Sequence, residues 1–222
     1  MEAETTSITL MEYFRLGGIA MWPLLLYSVA TIAIVLERTI HFIQNNMRMD
    51  DLEDEVRKRI RNNDIPGAKQ YLETKTKKRV GARILIAMIN QSHLSEHRME
   101  KAVEVEASTC INSLENGFNF LTALGSISPL TGFLGTVTGM IGAFRSIAEA
   151  SEVNAQIVAN GIYEALITTV FGLVIAIIAM VAHSILTHIV DRFAGEAERI
   201  CSDLIIELAI RDKNENHQTE KG

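Results

Sequence analysis

The amino-acid sequence predicts an all-α, polytopic membrane protein with three transmembrane helices and a helical cytoplasmic domain between the first two. Three runs contain no Asp, Glu, Lys or Arg, at residues 16–36, 117–144 and 165–190. Each has roughly 20 residues or more, enough for a helix to cross a hydrocarbon core about 30 Å thick. The chain is 48% apolar yet 22% charged. Its apolar and charged residues are therefore segregated along the sequence, as in membrane proteins.

The first apolar run is predicted to be a retained span and not a cleaved signal peptide. Its N-terminal flank is acidic, with Glu2, Glu4 and Glu12, whereas a secretory signal begins with basic residues and has a shorter apolar core. The predicted segments, in chain order, are an outer tail (1–15), a first span (16–40), a cytoplasmic helical domain (41–115), a second span (116–147), an outer loop (148–160), a third span (161–190) and a cytoplasmic C-terminal helix and tail (191–222).

The distribution of lysine and arginine predicts the orientation. Only Arg15 and Arg145 belong to the N-terminal tail and to the connection between the second and third spans, and the other 19 of the 21 basic residues lie in the central domain and the C-terminal segment. Basic residues are concentrated on the cytoplasmic side of membrane proteins. We therefore expect the N-terminus outside and the C-terminus in the cytoplasm.

Helix signals run through the central domain. Residues 63–66 combine a capping Asn-Asp pair with a proline suited to a first helical turn, residues 81–88 form an apolar helix, and Ser95 is suited to cap the next one. No clear terminator separates Ser95 from the second span, so that helix is predicted to run unbroken into the membrane. Residues 191–212 are predicted to form an amphipathic helix.

The second span carries a stripe of small residues. Glycine and serine recur at spacings of three and four, which is how membrane helices approach each other closely. The members are Gly125, Ser128, Gly132, Gly135, Gly139 and Gly142. Pro129 removes a backbone donor and is expected to bend the helix and free a carbonyl near Gly125. Thr131, Thr136 and Thr138 border the stripe.

The third span is two-faced at about 100° per residue. Small and polar residues share one arc, and aliphatic residues fill the opposite side. The small polar arc consists of Glu164, Ala165, Thr168, Thr169, Gly172, Ala176, Ala179 and His183. Two interpretations stay open for the threonines of both spans. Either each hydroxyl only donates a hydrogen bond to a nearby backbone carbonyl of its own helix, as in simple helix packing, or the hydroxyl oxygens line an ion pathway.

The three charge-free runs supply no acid for an ion pathway. Glu164 stands at the outer end of the third span, either as an interfacial acid that faces water or as part of a pathway, and His183 lies near the inner end. A proton path through hydrocarbon needs a titratable group or a water wire near mid-depth. We therefore expect another chain to bring the membrane carboxylate.

Other classes of function find little support. The net charge is −6, and the basic residues 57–61 adjoin an acidic stretch, so nucleic-acid binding is not expected. No nucleophile–base pair, phosphate loop or metal-ligand spacing is present, and Cys110 and Cys201 stand alone. We expect no catalytic residue, no metal and no cofactor, only a translocated proton or sodium ion.

Two long motifs, PLTGFLGTVTGMIGAF (129–144) and GIYEALITTVFGLVIAI (161–177), resemble the MotA/TolQ/ExbB proton-channel family, and most closely its ExbB/TolQ branch. The resemblance implies a pentameric ring in the bacterial inner membrane around two copies of a single-span, ExbD- or TolR-like partner that carries a membrane aspartate. It further implies that the proton motive force drives rotation of the partner, and that the motion passes to a TonB- or TolA-like protein.

The resemblance also implies roles for individual residues. Thr136 and Thr169 match the family's pore-lining threonines, and Glu164 matches its acidic residue before the third-span motif. Thr131 and Thr168 are departures that add hydroxyl oxygens, which suit sodium as well as a proton. The absence of a fourth span argues against a flagellar stator. The alternative is a non-conducting scaffold in which the glycines (Gly125, Gly132, Gly135, Gly139, Gly142 and Gly172) and Pro129 serve only helix packing.

Overall fold

A computed structural model describes residues 17–149 and 155–219, and this part of the chain forms seven helices. Their bounds are α1 Met21–Gln44, α2 Asp50–Arg61, α3 Ile65–Lys75, α4 Val80–Asn90, α5 Glu96–Glu115, α6 Phe118–Glu149 and α7 Ala155–Thr219. Three helical segments among the described residues are long and apolar enough to cross a membrane, one in each predicted span. The all-α class and the three membrane-length helices are thus confirmed. The predicted outer tail (1–15) and the middle of the predicted outer loop lie outside the described residues.

The prediction of one unbroken helix from Ser95 into the second span is wrong. Helix α5 ends at Glu115, and Asn116 leaves the helical region with φ −53° and ψ 129°. Gly117 follows with φ +91°, a left-handed conformation that is costly for any residue with a Cβ. Helix α6 begins directly afterwards at Phe118. The Asn116-Gly117 pair therefore separates the two helices.

The longest continuous helix is α7. It extends over 65 residues from Ala155 to Thr219 and so joins the predicted third span to the predicted C-terminal helix without interruption. It also begins six residues before the predicted start of the span at residue 161. No proline lies within it, and its apolar run passes directly into an amphipathic one.

The chain divides into two compact units. The first comprises the described residues within 1–37 and 117–185 and contains most of α1, all of α6 and the first half of α7. Met21 and Leu24 of α1 form its apolar core with Ile167 and Ile175 of α7. Large apolar side chains stay exposed on its outward faces. Examples are Leu26, Leu130, Phe133, Leu134, Ile141, Leu166, Val170 and Ile177. Such a surface suits contact with lipid or with other apolar helices.

The second unit comprises the described residues within 38–116 and 186–222. Its helix α2 buries Leu52, Val56 and Ile60, which recur every four residues and form one face. The predicted helix start near residue 65 is confirmed, since Asp64 Oδ1 accepts a hydrogen bond of 2.9 Å from the Gly67 amide. Residues of α7 such as Phe193 and Leu204 are also buried in this unit.

Charged groups fix the beginning of α2 in this second unit. The guanidinium of Arg79, only 8% exposed, donates to both carboxylate oxygens of Asp51 at 2.5 and 2.6 Å and to the Arg48 carbonyl at 2.6 Å. This bidentate pairing lowers the pKa of Asp51 and raises the pKa of Arg79. One buried cation thus holds the backbone that leads into α2.

Ion pairs also join α2 to the C-terminal part of α7. Glu207 accepts from Arg57 at 3.2 Å and from Arg61 at 2.6 Å, and Arg199 reaches Glu53 at 3.3 Å. These side chains are partly exposed, so each pair contributes little alone. Together they set the register of α2 along α7.

Candidate functional site

Helices α6 and α7 approach each other closely at Gly132 and Gly172. A Cβ built on Gly132 would lie 2.7 Å from the Thr168 carbonyl oxygen and 3.3 Å from the Gly172 Cα, and a Cβ built on Gly172 would lie 2.6 Å from the Ser128 carbonyl oxygen. Real Cβ atoms do not approach backbone so closely. The two backbones are therefore in contact, which is the arrangement that small residues permit between membrane helices.

The small-residue stripe continues along both helices from this point. A Cβ on Gly125 would lie 2.9 Å from Met180 Cγ, one on Gly135 would lie 2.7 Å from Thr168 Cβ, and one on Gly139 would lie 3.3 Å from Ala165 Cβ. Gly142 differs, because a Cβ there would meet nothing within 4 Å. Helix α6 continues through Pro129.

The predicted two-faced character of the third span matches the burial pattern of α7. Ala165, Thr168, Ala176 and Ala179 are buried against the rest of the unit, whereas the aliphatic side is mostly exposed. Ile167 is an exception on that side, because it packs in the core with α1. The small polar arc therefore faces protein.

Two threonine hydroxyls of α7 reach the α6 backbone at this contact. Thr168, which is 1% exposed, places its Oγ1 2.8 Å from the Ala165 carbonyl and 3.2 Å from the Gly132 carbonyl. Thr169 donates from its Oγ1 to the same Gly132 carbonyl at 3.2 Å. A hydroxyl has one proton and two lone pairs. Thr168 therefore has two alternative acceptors, one in its own helix and one in α6.

Thr136 lies one helical turn beyond Gly132 on α6. In an α-helix the backbone amide of residue 136 donates to the carbonyl of residue 132. The Thr136 amide and the Thr169 hydroxyl therefore share the Gly132 carbonyl oxygen as acceptor. The Thr136 hydroxyl donates to the neighbouring Phe133 carbonyl at 2.6 Å. The two threonines that the family resemblance selected thus engage the adjacent carbonyls of residues 132 and 133.

A groove of about 670 Å³ lies in the same unit and is bordered by part of the small-residue stripe of α6. Among the residues that line it are Thr131, Thr138, Glu164 and Asn160. Gly18 adopts φ +63°, and a Cβ there would collide with the Glu164 carboxylate. Both the backbone conformation and the space beside Glu164 therefore require glycine at position 18.

The predicted ion-pathway residues thus fall into two sets. Thr131 and Glu164 line the groove, while Thr136, Thr168 and Thr169 bind backbone carbonyls at or beside the α6–α7 contact. Gly18 and Asn160 are not among the residues predicted from the sequence. The Gly17-Gly18 pair just before α1 is a signal for a close backbone approach that could have found Gly18.

Long apolar helices held together through small residues define a multi-pass membrane protein. Comparison with known families assigns it more closely, since the profile of the MotA/TolQ/ExbB proton channel family matches residues 76–199. The chain belongs to the MotA/TolQ/ExbB proton channel family.

Individual relatives agree with this assignment. An ExbB-like biopolymer transport protein of Synechocystis sp. is 30% identical over 86% of this chain and 77% of its own length. The biopolymer transport protein ExbB of Salmonella typhimurium is 27% identical over 88% of this chain and 82% of its own length. The Tol-Pal system protein TolQ of Haemophilus influenzae is 42% identical over 84 residues, which are 38% of this chain and 37% of that protein.

Proposed function

We propose that this chain is the ExbB/TolQ-like subunit of an ion-driven motor in the bacterial inner membrane. The motor converts the proton motive force into mechanical work on a TonB- or TolA-like protein, for outer-membrane transport or envelope integrity. The N-terminus is periplasmic and the C-terminus cytoplasmic, in line with the bias of basic residues towards the central domain and C-terminal segment. The second compact unit is the cytoplasmic domain.

In this proposal five copies surround two single-span, ExbD- or TolR-like partners. The printed names of the relatives, biopolymer transport protein ExbB and Tol-Pal system protein TolQ, support a role in such an assembly. The exposed aliphatic faces of the first compact unit supply surface for helix contacts between copies and for lipid. The three charge-free runs of this chain contain no carboxylate, so the partner's aspartate titrates.

The observation that carries the proposal is the convergence of two hydroxyls on one backbone oxygen. Thr168 and Thr169 both reach the Gly132 carbonyl, and Thr136 lies one turn away. Hydroxyls both donate and accept hydrogen bonds, so they can pass a proton or coordinate a cation beside a partner's carboxylate without a charge of their own. Glu164 lies in the groove lined by Thr131 and attracts cations there. Thr131 and Thr168 extend the set of oxygens, and sodium is the alternative ion.

Native mass spectrometry of the detergent-extracted complex tests the assembly. Five copies that acquire two aspartate-bearing partners on co-expression are expected. A monomer or dimer that ignores such a partner would contradict the motor. Proton flux into vesicles then tests conduction, and flux should require both the partner's aspartate and Thr136.

The competing function is a non-conducting scaffold. The close glycine contacts agree with both functions, because they hold helices together in either case. The threonine variants separate the two. A Thr136→Val ring that assembles with its partner and loses ion flux supports the motor. Unchanged envelope function in Thr136→Val and Thr169→Ala together would support the scaffold.

A further inference from the structure

A separate pocket of about 520 Å³ lies in the second compact unit, between the segment that follows α1 and one face of α7. Three side chains with nitrogen donors line it. Arg48 comes from the segment after α1, and His188 and Arg192 come from α7. His188 and Arg192 are four residues apart and so share a helix face. The pocket takes no part in the α6–α7 contact.

The two arginines of this pocket are available to a ligand. Arg57, Arg59, Arg61, Arg79, Arg83, Arg145 and Arg199 each form an ion pair with an acidic side chain. Among the side chains that the structure describes, those of Arg48 and Arg192 form none. A planar guanidinium is the side chain best suited to bind a phosphate group through paired hydrogen bonds.

Hydrogen bonds fix the backbone of the segment that contains Arg48. Buried Arg79 donates to the Arg48 carbonyl at 2.6 Å and to both oxygens of Asp51. The Arg48 amide donates to Asn46 Oδ1 at 3.1 Å. The backbone of this wall is therefore fixed before any ligand binds, which lowers the entropic cost of binding.

The pocket lies where the charge-free run 165–190 of α7 ends. The charge-free part of α7 ends at Val190, so Arg192 lies about 3 Å farther along the axis at 1.5 Å per residue. The headgroup layer occupies roughly 5–8 Å beyond the hydrocarbon core. Ile189 and Phe193 line the same pocket, and Ile43 near the end of α1 is 77% exposed. These side chains offer apolar surface for acyl chains beside the arginines.

Two acidic side chains also line the pocket and limit which lipid headgroups fit it. Asp50 and Glu196 lie in the same pocket as the arginines. A carboxylate only accepts hydrogen bonds, so a headgroup that also carries a donor, such as an ammonium or a hydroxyl, fits both signs of charge. We propose that this pocket binds a membrane phospholipid whose phosphate is held by Arg48 and Arg192 and whose terminal donor, as in phosphatidylethanolamine or phosphatidylglycerol, meets Asp50 and Glu196.

Native mass spectrometry of the delipidated full-length complex tests the site. The complex is mixed with phosphatidylethanolamine, phosphatidylglycerol and phosphatidylcholine of identical acyl chains, and the lipids retained per subunit are counted. The two lipids with a donor should be retained in preference to phosphatidylcholine, which has none. Arg48→Gln and Arg192→Gln should each weaken retention about fivefold, as expected for the loss of one cation near a lipid surface. Arg192→Lys should recover part of the loss.

Arg98→Gln is the matched control, because Arg98 is also an exposed arginine of this unit without an ion pair among the described residues. It should retain lipid as the unmodified chain does. Equal retention of phosphatidylcholine, or unchanged retention in both pocket variants, would overturn the proposal. Displacement of the lipid by millimolar glycerol 3-phosphate would also overturn it, by identifying a site for a soluble phosphate. An unchanged oligomeric mass in each variant shows that the complex still assembles.

Discussion

Thr169 on α7 donates a hydrogen bond of 3.2 Å from its hydroxyl to the carbonyl oxygen of Gly132 on α6. The same oxygen lies 3.2 Å from the hydroxyl of Thr168. A backbone carbonyl in the middle of a helix normally serves only the amide four residues on. Here the second and third spans share it, so the helix contact and the proposed ion pathway use the same atom.

Replacement of Thr169 by alanine should lower ion flux while the ring still assembles. The variant loses a hydroxyl whose hydrogen bond is worth about 1 kcal/mol, and a barrier raised by that amount slows flux about fivefold. Thr169→Ser keeps the hydroxyl and should restore most of the flux. Proton uptake into vesicles that contain the partner measures both variants. Equal flux in the alanine, serine and unmodified proteins would exclude this hydroxyl from the pathway.

Gly132→Ala should destabilise the α6–α7 contact. The added Cβ would lie 2.7 Å from the Thr168 carbonyl oxygen and 3.1 Å from the Thr169 Cα, and backbone cannot move aside as a flexible side chain can. Such overpacking costs about 1–3 kcal/mol. The measurement is thermal or denaturant unfolding of the purified protein in detergent.

Gly142→Ala is the control for that experiment. It lies on the same helix, and its Cβ would meet nothing within 4 Å, so the chain alone should be unaffected or slightly more stable because alanine favours helix. If the two alanine variants unfold alike, the inter-helix distance at Gly132 is larger than described. A loss of assembly in Gly142→Ala without a loss of subunit stability would instead identify Gly142 as part of a contact between copies.

The sequence was sufficient for the spans but not for what happens at their ends. Runs without charge predict three membrane helices because the bilayer imposes a length. The break at Asn116 and Gly117 was missed because apolar periodicity resumes directly after it, although an Asn-Gly pair is a known turn signal. The ion pairs of Glu207 with α2 join residues about 150 apart in sequence, and no local pattern encodes such a contact.

The sequence predicted which faces of the second and third spans meet, but not how the candidate residues divide between the groove and the helix contact. Spacing alone brought Gly132 and Gly172 to facing arcs, because small residues at intervals of three and four form one helix face. Thr131 and Thr136 were both assigned to the border of that stripe. Five residues correspond to about 140° around a helix, and the structure accordingly places Thr131 in the groove and Thr136 outside its lining. Which of those sides faces a partner depends on neighbouring chains, which one sequence does not specify.

The ion pair between Asp51 and Arg79 should make stability depend on pH in the acid range. Arg79 lowers the pKa of Asp51 below its ordinary value of 3.8, so the folded state favours the ionised carboxylate. The stabilisation is fully present above pH 3.8 and is lost as the pH falls through the lower, folded-state pKa. Asp51→Asn should therefore cost about 1 kcal/mol at pH 7, a modest value because the carboxylate is largely exposed.

The pH series needs a neighbouring carboxylate as its control. Asp50→Asn changes an exposed acid one residue earlier, which forms no ion pair among the described residues, and should leave the dependence on Asp51 in place. Unfolding midpoints of both variants and the unmodified protein, from pH 7 down to pH 3, measure the effect. A difference between Asp51→Asn and the unmodified protein that stays constant across the range would rule out titration of Asp51 as its source.

The two cysteines should react slowly with maleimide in the folded protein. Burial raises the pKa of the Cys110 thiol to about 11 and that of Cys201 to about 12, so the reactive thiolate is scarce at pH 7.5, and both side chains are about 1% exposed. An added Val105→Cys, at a position of α5 that is 59% exposed, is the internal reference and should be labelled at least about tenfold faster. In denaturant all three thiols should react at similar rates, because the burial that distinguishes them is gone. Labelling of Cys201 at the rate of the Val105→Cys thiol under native conditions would mean that the C-terminal part of α7 opens from its core far more often than its packing implies.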